Sequence, residues 1–146
     1  MSAAAFPTMR WRRALAWLAL VLSAAAHAQD PLPPPVAWPE VPERGASAAD
    51  FAPAGWRVEL AIDGRLDGDD RADLLILLRM DDPANVLAHD GMGVSPFDSN
   101  PRMLVLALAD GEGYRRVLAD HRLIPRPYSP TADDVLGDGP GSALRI

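Results

Sequence analysis

The stretch densest in possible ligands is "DGRLDGDDRAD", Asp63 to Asp73, with five carboxylates and the arginines Arg65 and Arg71 in eleven positions. A hard cation such as Ca²⁺ takes six to eight oxygens at ~2.3–2.6 Å, from carboxylates at alternate positions and a backbone carbonyl. A glycine at the sixth position lets such a loop fold back with positive φ. The best register sets Arg65 first, Asp67 third, Asp69 fifth, Asp70 sixth and Asp73 ninth, so the candidate metal ligands are Asp67, Asp69 and Asp73. Arg65 puts a cation where a ligand oxygen belongs. At an effective dielectric near 20, unit charges ~4 Å apart interact by about 4 kcal/mol, enough for a guanidinium to compete with the metal. Starting at Asp63 restores glycine at position six, Gly68, but places Arg65 and Arg71 on ligand positions. The twelfth residue from Arg65 is Ile76, so an EF-hand glutamate is missing. Three readings stay open: a calcium loop completed by Asp63 or water, a metal-free loop in which Arg65 bridges Asp67, Asp69 or Asp73, and a solvated acidic turn. The second is preferred, which makes the loop structural.

Other chemistry is sparse. His89 and His121 are far apart in sequence, and Ser95 and Ser99 sit in Ser-Pro and Asp-Ser-Asn-Pro turn contexts rather than in a nucleophile elbow. "DGMG" (90–93) follows no strand and precedes no helix, so it is no phosphate loop. Trp38 and Trp56 have faces that could stack on sugars, but Trp56 falls on the apolar side of a strand and reads as core. No catalytic residue and no cofactor-binding residue is assigned. No cofactor is expected, with calcium at the acidic loop the one open alternative.

The elements that would position these groups are strands. "WRVELAI" (56–62) alternates, with Trp56, Val58, Leu60 and Ile62 on one face. "LLILL" (74–78) and "MLVLALA" (103–109) are apolar on both faces, as in a strand inside a sheet. "ADGEGY" is a turn, and "YRRVLA" (114–119) returns. Asp82 could cap a helical turn with Pro83 in its first position, and Ser129, Pro130 and Gly137 repeat that logic.

Composition bounds the rest. Arg10, Arg12 and Arg13 precede "ALAWLALVLSAAA" and "AHAQD", the pattern of an export signal cut between Ala28 and Gln29. Removing the first 28 of 146 residues leaves 118, enough for one domain. The remainder carries 20 acids against 11 arginines and no lysine, a charge of −9. Such a surface repels phosphate backbones and anionic lipid, so neither nucleic acid nor a membrane is an expected partner after signal cleavage. There are no cysteines, which excludes disulfides and thiol chemistry. Residues 29–53, with seven prolines, read as a disordered linker, with "ERGASAADF" able to form a brief helical turn.

On "DGRLDGDDRADLLILL" the chain resembles the FG-GAP/VCBS-type repeat, whose hallmark is an Asp-rich loop running into an apolar strand. Over residues 53–127, including "DPAN" and "NPR", it looks like small exported bacterial proteins with a single such unit. That resemblance implies a propeller-blade-like, four-stranded antiparallel meander with the loop between its first two strands. It also implies further strand-rich sequence beyond the point where this chain stops, hence a truncated or frame-shifted C-terminus.

The expected protein is mainly β: a signal peptide (1–28), a Pro-rich linker (29–53), an FG-GAP/VCBS-like meander with short helical turns (54–128) and an irregular tail (129–146). It is periplasmic or secreted. Two strands apolar on both faces, with no amphipathic helix to cover them, imply that self-association or an unknown protein partner supplies the second layer. The function expected is that of a non-enzymatic interaction or structural module. A metal-dependent periplasmic hydrolase and a non-functional fragment of a longer reading frame are the alternatives.

Overall fold

The computed structural model describes residues 32–145. The expected signal peptide and the first residues of the Pro-rich stretch lie outside them. The described chain is mainly β. Seven strands run in chain order: β1 (Arg44–Gly45), β2 (Trp56–Gly64), β3 (Asp73–Met80), β4 (Val86–Leu87), β5 (Phe97–Asp98), β6 (Arg102–Asp110) and β7 (Gly113–Asp120). Five of them form one antiparallel sheet in the order β1-β7-β6-β3-β2, and β4 with β5 makes a separate two-stranded ribbon.

The four segments expected as strands become β2, β3, β6 and β7, paired as a meander. The expected four-stranded unit is extended by β1, whose Arg44 and Gly45 pair with Arg115 and Tyr114 of β7. Two residues with no periodicity leave no strand signal in the sequence. Gly45 is required by space: a β-carbon there would lie 2.8 Å from Cβ of Asp50. A 3-10 turn, Ala48–Phe51, follows at once. Asp50 closes it by accepting from the amides of Ala46 and Ser47 and from the Ser47 hydroxyl.

That turn is the one expected within "ERGASAADF", but burial departs from the linker expectation in the described part of 29–53. Val41 and Phe51 are buried in a cluster with Trp56, Leu74, Ile76, Leu78, Met103, Val105 and Ala107. Residues 41–52 therefore lie across one face of the sheet as its cover. Prolines keep this stretch free of regular structure, yet its apolar side chains still exclude water from the sheet.

The opposite face is covered as well. Leu77 packs with Ile124 and Leu136, and Leu60, Leu104 and Leu144 lean on them. The residues after β7 wrap this face as coil ending in one short helix, Pro140–Ala143. The helix expected around 130–136 does not form there. The side chain of Asp134 is turned instead to Arg102 and to the amide of Leu136. The premise that a partner must shelter the second face is thus overturned: coil from both ends of the sheet does so.

β2 is irregular in a way that matters. Val58 lies opposite Leu78 but Leu60 lies opposite Leu77, so Glu59 is an extra, unpaired residue, a β-bulge. The bulge turns Glu59 and Leu60 to the same side, and Leu60 leaves the face of Trp56 and Val58 for the tail-covered one. It also interrupts the one long free edge of the sheet, flanked by the charges of Arg57, Glu59 and Asp63. Edges so kinked and charged resist strand addition.

Candidate functional site

The acidic loop folds around Gly68, whose φ is +86°, and no residue other than glycine has positive φ among the described residues. Asp70 is therefore not at the reversal, and the backbone follows the register in which Arg65 and Arg71 take ligand positions. Asp67 accepts from the amide of Asp69 at 3.0 Å, and Asp69 accepts from the amide of Arg71 at 2.7 Å. Both carboxylates thereby close local turns.

Asp73 does something different. It opens β3, is fully buried, and accepts the Leu66 amide on one oxygen at 2.7 Å and the Ala109 amide on the other at 2.9 Å. These amides, Ala109 foremost, hold its carboxyl below the ordinary value of 3.8 against the cost of burial. Asp73 thus pins the loop to β6. Among the described residues no three acidic or histidine side chains, Asp67, Asp69 and Asp73 included, are grouped as a metal would require.

The guanidinium expectation is corrected too. Among the described residues Arg65 reaches only Asp70, at 3.5 Å, with both side chains exposed. It bridges none of Asp67, Asp69 and Asp73. Arg71 is the arginine that ties the loop down, donating to the carbonyls of Gly111 in the β6–β7 turn at 2.6 Å and of Ala109 near the end of β6 at 3.3 Å. Loop and turn are joined by a cation acting on peptide oxygens rather than on carboxylates.

The dominant charged site lies elsewhere, on the tail-covered face. The bulge delivers Glu59 beside Arg79 of β3 and Arg102 of β6. Arg102 donates from Nε to Glu59 at 2.6 Å and from Nη1 to both oxygens of Asp134 at 2.8 and 2.9 Å. Arg79 reaches Glu59 at 3.1 Å and Asp98 at 2.9 Å. Side-chain exposure is 3% for Arg102, 12% for Glu59 and 15% for Arg79, so water screens these pairs little. Burial pushes the Glu59 carboxyl up, and Arg102 with Arg79 more than reverses it, leaving it below the ordinary 4.5. One donor remains over: Arg79 Nε is buried without an acceptor.

A second polar knot joins the "DPAN" and "NPR" stretches. Asp82 accepts the Ala84 amide and caps a 3-10 turn, Pro83–Asn85, the helical turn expected there with Pro83 in its first position. Asn85 donates to Asn100 at 3.1 Å, and Asn100 accepts from the Asp82 amide. Arg126 crosses from the tail to Asn85 Oδ1, to the carbonyl and hydroxyl of Ser99, and to the carbonyl of Pro34 at 2.6 Å. One guanidinium holds the Pro-rich segment, the β4–β5 ribbon and the tail.

The remaining sequence candidates fall apart or are consumed. Ser99 is buried and donates to the Asn85 carbonyl. Ser95 donates to the His89 carbonyl at 2.9 Å, not to its ring, and His89 Nε2 donates to the Val94 carbonyl at 2.7 Å. His121 stacks on Trp38, with ring centres 4.1 Å apart and planes 20° apart. Trp56 is core, as its place on the strand implied.

Between the β4–β5 ribbon and the tail runs a groove of about 330 Å³, lined by Arg79, Val94, Phe97, Asp98, Pro127 and Pro130 among others. It adjoins a polar concavity of about 580 Å³ around Asp133, Asp134 and Asp138. Neither the ion cluster nor this groove was identified from sequence. Glu59 and Arg102 are 43 residues apart, and only the bulge sets them on one face. The arginines in otherwise apolar strands were the one available signal. Compared with protein-family models, curated proteins and solved structures, the chain shows no significant match.

Proposed function

We propose that this protein is an exported, non-enzymatic β-domain acting as an interaction or structural module, periplasmic or secreted after loss of residues 1–28. Its acidic loop, of the FG-GAP/VCBS kind by resemblance, serves as a structural connector. The observation that carries this reading is the placement of Asp73, whose two oxygens both accept backbone amides 7 and 36 residues away in the chain. A carboxylate so engaged fastens a loop to a sheet. The serines and histidines that could serve hydrolysis are likewise turned to backbone carbonyls or to a tryptophan face. What the fold presents outward is the groove beside the β4–β5 ribbon.

The test is a hydrolase panel of ester, phosphoester, peptide and glycoside substrates, run on residues 29–146 with calcium, manganese or chelator. No turnover above background is expected. Turnover that disappears in Asp69→Asn and in Asp73→Asn, while circular dichroism shows the fold retained, would replace this reading with that of a metal-dependent hydrolase.

A further inference from the structure

We infer that the groove between the β4–β5 ribbon and the tail receives a short, extended, basic segment of another polypeptide; this rests on the module reading above and names the partner's chemistry. The argument begins with its walls. Pro127 and Val94, the latter 68% exposed, give the groove an apolar rim over the buried Phe97 and Pro130. Apolar groups left open at a rim favour an occupant with aliphatic or aromatic groups.

Charge sets the second requirement. The ion cluster behind the groove holds Glu59, Asp98 and Asp134 against Arg79 and Arg102, leaving one negative charge in excess. Asp133 and Asp138 add two more, and neither has an ion-pair partner among the described residues. An acidic occupant would meet uncompensated like charge at this end, whereas lysine or arginine would meet carboxylates already held in place. Apolar contact and cationic side chains together describe a peptide strand with basic and apolar residues, not a small cation.

The experiment uses residues 29–146 and a fluorescein-labelled octapeptide of alternating arginine and valine, followed by anisotropy at low and physiological salt. Alternating glutamate and valine, and spermine, serve as comparison probes. Binding of the arginine peptide alone is expected, weakened about tenfold in the Asp133→Asn, Asp138→Asn double variant, as two rim ion pairs would give. Val94→Arg, which fills the rim with a competing cation, should abolish it. Hydrogen exchange should show protection confined to 94–98 and 127–138. Failure of the arginine peptide to bind, equal competition by spermine, or an unchanged affinity in the double variant overturns the inference. Protection elsewhere on the domain overturns the groove but leaves the module reading intact; turnover in the hydrolase panel overturns the module reading independently.

Discussion

Arg102 and Glu59 meet at 2.6 Å between Nε and Oε2, on the face of the sheet that the tail covers. The contact exists because an extra residue in β2 turns Glu59 inward, and the same arginine holds Asp134 of the tail with its other nitrogen. One side chain therefore couples the sheet's outermost long strand to the layer that shelters it. Removing one partner of such a cluster leaves buried charge uncompensated. Arg102→Leu should lower the unfolding free energy by about 3–5 kcal/mol in urea titration. A Glu59/Arg102 double-mutant cycle should show a coupling of about 0.5–3 kcal/mol.

Acid should destabilise the protein through a defined set of carboxyls. Glu59 is held low by its arginines against burial, Asp73 by the Ala109 and Leu66 amides, Asp120 by the Arg122 amide, and Asp50 by the Ser47 hydroxyl and amide. Each folded value lies below the ordinary 3.8 or 4.5, so each contributes stability fully present above that value and lost as pH falls through the folded one. Thermal melting should be level from about pH 5 to 8 and fall steeply below about pH 4. The acid limb should flatten in Glu59→Gln and in Asp73→Asn.

The two loop arginines should separate cleanly. Among the described residues Arg65 touches only an exposed carboxylate, and Arg65→Ala should change stability by less than about 0.5 kcal/mol. Arg71 donates to the carbonyls of Ala109 and Gly111, and Arg71→Ala should cost about 0.5–1.5 kcal/mol. Chemical denaturation of the two variants side by side checks the pair. Equal losses would return Arg65 to the role expected from the sequence.

The Pro-rich cover should behave as core. Phe51 is fully buried against Gly45 and the sheet, and Phe51→Ala should cost about 3–5 kcal/mol. Deleting residues 29–53 should expose Ile76, Leu78 and Val105 and give strong binding of an apolar-surface dye. Dye binding as weak as in the parent would show that the cover is dispensable.

Arg126→Gln removes the guanidinium that holds Pro34, Asn85 and Ser99. Limited proteolysis should then cut within 32–43 at least about tenfold faster, since freed backbone opens locally before the sheet does.

Period two made β2 legible, and short apolar runs bounded by turn residues made β3 and β6 so, with β7 following the "ADGEGY" turn. The same rule misled at Leu60. "WRVELAI" alternates without a break, so the sequence carries no mark of the extra residue at Glu59 that moves Leu60 to the other face. The covers were illegible for a related reason: Val41, Phe51, Ile124 and Leu136 stand in short stretches without a repeating apolar pattern to reveal that they face inward. The acidic loop was visible as composition. Its division of labour, with Asp73 as fastener and Arg71 as strap, depends on Ala109 and Gly111, which only the folded meander brings near.

The sheet's two coverings come from opposite flanks of the meander, and that dictates an order of events. Leu77 stays wetted until Ile124 and Leu136 have been synthesised, some fifty residues later in the chain. Long-range closures of this kind are slow, and partly covered sheets are sticky. A nascent chain halted soon after β7 should therefore remain unable to lock, open to chaperones, and settle only once the residues after Asp120 are free to swing across the leucines.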